Sequence, residues 1–302
     1  MSSYYLRDVF INKLYEKALK DENIIFISAD FGAPALDKFR ENLKNQFIHS
    51  GISEQHMIDM AAGLSLSGKK VFVYAMAPFI TLRCIEQIKC SLAMMNLPVT
   101  IISVGGGLSY ADAGPTHYSN EDIACLRSLV GLEIISPADN VSTAMLVNEV
   151  LNNQKLRLIR LDRAPLKNIY DDSFQISKGY DFINKGNNDK CIITYGYLLH
   201  KIIDSNKFSE LKGTDIIDLY TLKPFPKSLI ETLKSYKKII SYEEHCKDGG
   251  FGSAIAEVMV DNDIKVKLKR LHLDEIYYFE NGGREHLLDN YGLSIDNLIS
   301  QI

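Results

Sequence analysis

The chain has 302 residues, of which 46% are hydrophobic and 24% charged, and its formal net charge is -4. This composition is too apolar for a disordered chain, and the length predicts two domains. The slight negative charge argues against a global basic surface for nucleic acid, and no apolar run approaches the ~20 residues that span a bilayer. Neither nucleic acid nor a membrane is therefore an expected partner.

The five cysteines are scattered along the chain and include no CxxC pair. An odd number at irregular spacing argues against a disulfide framework and against a closed zinc site. Residues 1–19 contain no apolar segment followed by a small-residue cleavage site. Together these features predict reduced thiols in a cytoplasmic protein.

Apolar strands alternate with helical patterns from residue 6 to residue 161. A four-residue apolar period over 6–18 predicts a first amphipathic helix. The short apolar runs that predict strands are 24–28, 71–75, 99–104, 132–136 and 156–161. Because these runs are continuously apolar, we expect them in a parallel sheet that helices cover on both faces.

A polar stretch at 162–189 interrupts this series, and a second α/β series follows it. The second series has predicted strands at 191–195, 215–219, 237–242 and 265–271, and a helix near 251–260. The sequence therefore predicts two α/β domains, each a mostly parallel sheet flanked by helices. The predicted bounds are 1–165 for the first domain, 166–184 for a linker and 185–302 for the second domain.

Ligand sites in parallel sheets lie at the carboxyl ends of strands, which directs attention to the loops after Ser28, Ala75 and Val104. In GISEQHM (51–57), Glu54 opens an apolar helix. By itself, Glu54 is equally well explained as a first-turn acid that complements the helix dipole. In GPTH (114–117), His117 follows a glycine triplet and could act as an acid, a base or a donor. Alone, it is equally a turn histidine.

Two further motifs carry groups that could take part in chemistry. In PFITLRCIEQ (78–87), Phe79 could stack on a flat ring and Arg83 could clamp an acid, or the two could serve core packing and a surface ion pair. The segment EEH (243–245) suggests a metal ligand set. Because consecutive residues at a strand end do not converge on one side, no metal site is expected there.

In their order and spacing, these motifs resemble the carboxyl-terminal half of a transketolase. GISEQHM resembles G-I-x-E-x-x-M, PFITLRCIEQI resembles F-x-x-x-R-x-x-x-Q-I, and GPTHYSNEDIACLR resembles G-x-T-H-x-x-x-E-D-I-A-x-x-R. Later in the chain, DLYTLKPFP resembles I-D-x-x-x-I-K-P-x-D, with Pro226 in place of the usual Asp. EEHCKDGGFGSAIAEV resembles E-E-H-x-x-x-G-G-x-G-S-A-V-A-E. The resemblance covers about residues 5–300.

The resemblance implies thiamine diphosphate as the cofactor. It implies that Glu54 binds the aminopyrimidine ring and activates the cofactor, for which burial of the carboxyl in an apolar pocket is suitable. It implies that His117 faces the substrate and assists proton transfer. The other cofactor-binding residues that it implies are Phe79, Arg83, Asp30 and Ile52.

The implied substrate residues depart in part from the family pattern. Arg163 and Arg7 fall where transketolases place arginines on a sugar phosphate. Gly105 replaces a family histidine, and Ala113 replaces an acid, with Asp112 one position away. This departure predicts a sugar or sugar phosphate other than the usual pentose phosphates, such as a nucleotide-linked sugar.

The resemblance also implies a split enzyme. Transketolases bind the diphosphate through Mg²⁺ at a G-D-G segment followed by an Asn, and no GDG occurs here. We therefore expect the Mg²⁺ ligands on an amino-terminal, diphosphate-binding partner subunit. Two copies of this chain, paired through the first domain, are expected to form a heterotetramer with two partners.

Three alternatives are weighed against this interpretation. The beta subunit of a 2-oxo-acid dehydrogenase shares the fold, the cofactor and the glutamate, but the GPTH segment favours the transketolase branch. A fused deoxyxylulose phosphate synthase would need an amino-terminal half that this sequence lacks. A non-catalytic interaction protein with the same fold is disfavoured because both Glu54 and His117 are present.

Overall fold

The computed structural model describes residues 4–186 and 189–302. Its strands are β1 (Tyr4–Tyr5), β2 (Ile24–Ala29), β3 (Phe47–Gly51), β4 (Lys70–Met76), β5 (Thr100–Val104), β6 (Glu133–Ile135), β7 (Arg157–Leu161), β8 (Pro165–Leu166), β9 (Asp181–Asn184), β10 (Lys190–Thr194), β11 (Asp215–Asp218), β12 (Thr221–Lys223), β13 (Lys238–Tyr242) and β14 (Lys267–Leu271). Its α-helices are α1 (Leu6–Ala18), α2 (Asp37–Asn42), α3 (Glu54–Leu66), α4 (Ala77–Ile80), α5 (Ile85–Gln87), α6 (Asp122–Leu126), α7 (Asn140–Asn152), α8 (Tyr197–Ile203), α9 (Lys227–Leu233), α10 (Phe251–Asp261), α11 (Gly283–Asn290) and α12 (Ile295–Ser300). None of these helices is long and apolar enough to cross a bilayer.

The first sheet has seven strands in the order β12-β6-β7-β5-β4-β2-β3, and all its pairs are parallel except β12 with β6. Helices cover both faces, so the central strands are buried on both sides, as their continuous apolar runs predict. In β2, Ile25 and Ile27 belong to the core beneath α3. Ile24 and Phe26 belong to the core beneath α1 and α7. The carboxyl ends of these strands carry the loops in which a site is expected.

The second sheet has five strands in the order β14-β13-β10-β11-β9, with only β9 antiparallel to its neighbour. Its helix α10 follows β13, as the sequence predicts, and packs Ile255 into the core. The predicted fold of two mostly parallel sheets flanked by helices is therefore confirmed.

Two strands depart from the predicted division into domains. The short strand β12 lies within the predicted second domain, yet it pairs antiparallel with β6 and completes the first sheet. The strand β9 lies in the predicted linker 166–184 and forms an edge of the second sheet. The chain thus passes between the two sheets more than once, whereas a division at 1–165 and 185–302 would require a single passage. Those domain bounds stay a prediction.

A buried cluster of three charged side chains joins the two halves of the molecule. The Arg284 guanidinium donates two hydrogen bonds to Asp162, of 2.9 and 2.8 Å, and two to Glu244, of 2.8 and 2.6 Å. Glu244 Oε1 also accepts the Leu108 N–H at 2.8 Å. We call Asp162, Glu244 and Arg284 the interdomain ion cluster, and it fastens the loop after β5 to the second domain.

The EEH segment (243–245) serves local structure. Glu243 accepts the N–H groups of Phe251 and Gly252, both at 2.7 Å, and so caps the start of α10. Burial lowers the pKa of His245 to about 4, and its Nε2 accepts the Ala124 N–H at 3.3 Å. Within residues 4–186 and 189–302, no group of three or more His, Cys, Asp or Glu side chains is placed to hold a metal ion.

Candidate active site

Glu54 lies where the edge strand β3 turns into helix α3. The strand ends at Gly51, whose φ of +71° suits glycine, and the Gly51 N–H donates to His49 Nδ1 at 3.0 Å. The Ser53 hydroxyl donates to the Ser50 carbonyl at 2.6 Å. These bonds fix the turn, so that Glu54 becomes the first residue of a 13-residue helix. A carboxylate at that position interacts favourably with the helix dipole.

Four of the predicted site residues form one connected group, which we call the Glu54 cluster: Glu54, Arg83, Phe79 and His117. Glu54 is only 5% exposed, and Arg83 Nη1 donates to its Oε2 at 2.7 Å. The Arg83 guanidinium lies 4.4 Å from the centroid of the Phe79 ring. That ring meets the His117 imidazole edge-on, with centroids 5.3 Å apart. A buried carboxyl, a cation, an aromatic face and an imidazole are therefore brought together from three separate segments.

The Glu54 cluster leaves specific atoms free for a ligand. Among the hydrogen bonds of the described residues, only Oε2 of Glu54 is engaged, and Oε1 has no partner. Burial raises the pKa of the neighbouring Cys84 thiol to about 12, and the nearby Glu54 charge adds to the effect, so this thiol is protonated at neutral pH. A free carboxyl oxygen in the same cluster as the Phe79 ring fits the aminopyrimidine of thiamine diphosphate, a flat ring that carries hydrogen-bonding nitrogens.

The predicted substrate residues lie beside this cluster. Arg163 binds the Asp112 carboxylate through hydrogen bonds of 2.6 and 3.3 Å. Its guanidinium lies 4.5 Å from the centroid of the Tyr110 ring, which in turn is 6.5 Å from the His117 ring. Arg7 donates to Asp8 at 2.9 Å. Burial raises the pKa of the Tyr110 phenol to about 12, and the charges of Arg163 and Arg7 act against that shift. Both arginines thus lie on the Tyr110 side of the site.

Asp30 and Ile52 are not brought into the Glu54 cluster. Asp30 follows β2, and its nearest ion-pair partner is His49, with Nε2 and Oδ1 3.9 Å apart. Ile52 is 76% exposed, so it does not close the pocket around Glu54, whose buried neighbours on α3 are Met57 and Ile58. For these two residues a cofactor contact stays a prediction.

Tyr110 was not predicted from the sequence, although this residue connects the Glu54 cluster with Arg163. Tyr110 is 7% exposed and packs over Gly105. The sequence feature that could have indicated Tyr110 is Gly105, because a glycine in place of the family's histidine leaves a volume that a bulky neighbouring side chain can occupy. The candidate side chains near position 110 are those of Leu108, Tyr110 and Ala111, and no local sequence pattern shows which of them fills this volume.

Comparison with known proteins agrees with this arrangement. Residues 3–168 match the pyrimidine binding domain of transketolase, and residues 179–298 match its C-terminal domain. An apulose-4-phosphate transketolase subunit of Phocaeicola vulgatus is 30% identical over 97% of this chain and 94% of that protein. A putative transketolase C-terminal section of Methanocaldococcus jannaschii is 28% identical over 98% of this chain and 95% of its own length. A 6-deoxy-6-sulfo-D-fructose transketolase subunit of a Clostridium species is 26% identical over 99% of this chain and 94% of that protein.

Solved structures give the same result. The subunit of a split gene transketolase, solved as an inactive beta4 tetramer, superimposes with a TM-score of 0.86 at 26% identity, covering 98% of this chain and 96% of that chain. A transketolase of Pichia stipitis shares the fold, with a TM-score of 0.80 at 17% identity, and this chain spans 45% of its length. The matched relatives favour transketolase over the alternative of a 2-oxo-acid dehydrogenase subunit. The chain belongs to the thiamine diphosphate-dependent transketolase family, in the branch whose pyrimidine-binding and C-terminal domains form a subunit of their own.

Proposed function

We propose that this chain supplies the pyrimidine half of a transketolase active site, which transfers a two-carbon ketol unit between sugars once a diphosphate-binding subunit completes it. The observation that carries this proposal is the buried Glu54 carboxyl, which has one oxygen bound by Arg83 and the other free, while the same Arg83 guanidinium lies against the Phe79 ring. Bound thiamine diphosphate supplies the electron sink that lets a carbon–carbon bond next to a ketose carbonyl break and re-form.

The residues of this chain hold and move the protons. Glu54 Oε1 would hydrogen-bond a nitrogen of the pyrimidine ring and exchange a proton with it, while Arg83 fixes the carboxyl through Oε2. Phe79 stacks near that ring. His117 has Nδ1 2.9 Å from the Thr116 hydroxyl, and its Nε2 exchanges a proton with a substrate oxygen. Asp30 and Ile52 lie at the rim of the cofactor site.

The partner subunit holds Mg²⁺ and the diphosphate. Supporting this division, the chain matches the pyrimidine binding and C-terminal domains of transketolase. The split transketolase subunit of similar fold was solved as an inactive beta4 tetramer, which supports self-pairing of this subunit and its dependence on a partner. Met94 and Met95, exposed by 73% and 48% after the helical segment 85–93, suit a contact between two copies in a cytoplasmic heterotetramer.

Reconstitution tests this function. The purified chain alone, with thiamine diphosphate and Mg²⁺, is expected to show no ketol transfer, because half of the cofactor site is missing. Addition of a subunit that carries a GDG segment and a following Asn is expected to give transfer between a ketose and an aldose. Activity without any partner would contradict the proposal, and so would continued inactivity with the cognate partner on every donor sugar assayed.

The substrate is proposed to be a sugar with an anionic end. Arg163 is 41% exposed at its side chain, and its partner Asp112 is 66% exposed. Because such an exposed pair contributes little, an incoming anion can displace Asp112 from the guanidinium. The names of two relatives contain a phosphate and a sulfo group, both of which are anionic. A nucleotide-linked sugar also carries this charge.

Arg163→Ala is expected to raise KM for an anionic sugar more than it lowers kcat. One charge-assisted contact corresponds to about 10- to 150-fold in affinity. Arg40→Ala is a matched control, because Arg40 also pairs with an aspartate, Asp37, at 2.8 Å and lies 5.4 Å from an aromatic centroid, that of Phe47. An unchanged KM in Arg163→Ala for every active sugar would remove Arg163 from the site.

A further inference from the structure

Gly105, the first residue after β5, cannot carry a side chain in this fold. Its φ is +92°, and a Cβ built on it would lie 2.1 Å from Tyr110 Cε2 and 2.5 Å from Cδ2. These atoms belong to a ring that is itself buried, with Tyr110 only 7% exposed. The Tyr110 ring therefore occupies the volume beside the strand end that a side chain at position 105 would take.

The Tyr110 ring also lies between the reacting end and the anionic end of the site. One side faces the His117 ring at 6.5 Å, and the Arg163 guanidinium lies 4.5 Å from its centroid. The Phe31 ring meets it edge-on at 6.5 Å. An aromatic face at this distance orients a guanidinium and stabilises it by a cation–π interaction.

The backbone around Tyr110 is held in place by hydrogen bonds. The Tyr110 carbonyl accepts the Ala113 N–H at 2.8 Å, and the Ser109 hydroxyl donates to the Gly106 carbonyl at 2.7 Å. The Leu108 N–H is bound by Glu244 of the interdomain ion cluster. Tyr110 is thus built into a loop that is fixed from both domains.

We propose that Tyr110 is a specificity-determining residue of the substrate site, which presents Arg163 to the anionic end of the sugar and closes the space beside Gly105. This inference rests on the proposed function. It assigns to this subunit a sugar that ends in a phosphate or sulfonate group at Arg163 and carries no bulky substituent on the Gly105 side.

The test compares Tyr110→Leu with Tyr110→Phe in the complex of both subunits. Leucine fills much of the volume without an aromatic face, whereas phenylalanine keeps the face. The donors are fructose 6-phosphate, its 6-deoxy-6-sulfo analogue, unmodified fructose, and hydroxypyruvate, which lacks a sugar chain. Tyr110→Leu is expected to raise KM for the better of the two anionic donors. The ratio of this KM to the KM for unmodified fructose is expected to be roughly 2- to 30-fold higher than in wild type. Tyr110→Phe is expected to stay within about twofold of wild type.

The steric part is tested by a double-mutant cycle on thermal unfolding. Gly105→Ala is expected to lower the midpoint of thermal unfolding more in the wild-type chain than in the Tyr110→Ala chain. The reason is that the Tyr110→Ala chain has no ring for the new Cβ to clash with. Equal decreases in both backgrounds would contradict the steric part of the proposal.

The outcomes separate the two proposals. A wild-type complex that turns over neither hydroxypyruvate nor any ketose contradicts the proposed function, and the specificity of Tyr110 fails with it. A complex that is active, but whose anionic-to-neutral KM ratio is the same in Tyr110→Leu as in wild type, overturns the role of Tyr110 alone. The phosphate and sulfonate donors show which anion Arg163 and Tyr110 select.

Discussion

Glu54→Gln is expected to lower ketol transfer by the complete enzyme by about 10²- to 10⁴-fold, the usual size of general acid–base assistance. The amide keeps the size of the side chain and can still hydrogen-bond Arg83, but it cannot give up and recover a proton at Oε1. The measurement is kcat at saturating sugar, thiamine diphosphate and Mg²⁺, with circular dichroism to verify the fold.

A first-turn acid elsewhere provides the control for Glu54→Gln. Asp296 lies in the first turn of α12, where it pairs with Lys207 on the surface. Asp296→Asn removes a helix-dipole interaction of the same kind without touching the site, and kcat should not change. If Glu54→Gln also left kcat unchanged, Glu54 would be a first-turn helix acid. The resemblance to transketolase would then extend to the fold but not to the chemistry.

Arg284→Met is expected to destabilise the chain by about 3–5 kcal/mol, since it leaves the carboxylates of Asp162 and Glu244 buried without their cation. The two carboxylates are 9% and 7% exposed, so bulk solvent screens their charges little. Urea unfolding measures this free energy. The exposed pair of Lys207 and Asp296 is the control, and Lys207→Met should change the stability little.

A compensated variant separates buried charge from lost packing in Arg284→Met. Changing Asp162 to Asn and Glu244 to Gln in the same chain removes both uncompensated charges, and most of the stability is expected to return. If Arg284→Met alone is as stable as wild type, or if the triple variant recovers nothing, the interdomain ion cluster does not hold the two domains together as inferred.

The local elements were predictable because the physical signals are local. The central strands are buried on both faces, so that continuous apolar runs such as VFVYA mark them directly. Helix α7 begins after Asp139, a residue type that commonly caps helices, and its carboxylate accepts the Ser142 N–H at 2.8 Å. The Glu54 cluster was predictable only in combination, because each of its three motifs has an ordinary structural explanation when considered alone.

Other features depend on contacts between distant residues, which local patterns do not carry. β3 was missed because FIHSG is half-exposed and partly polar, and β12 because three residues are too few to show a period. The interdomain ion cluster joins positions 162, 244 and 284, and no spacing rule relates them. Tyr110 was missed for the same reason, since its role depends on the missing side chain at Gly105.

The proposed role of Glu54 is tested most directly by hydrogen–deuterium exchange at the thiazolium carbon between sulfur and nitrogen, with thiamine diphosphate bound to the complete enzyme. This exchange precedes any sugar chemistry, so it does not depend on knowing the substrate. We expect Glu54→Gln to slow the exchange by about 10²- to 10⁴-fold relative to wild type. Exchange as fast as in wild type would show that Glu54 is not the activating carboxylate.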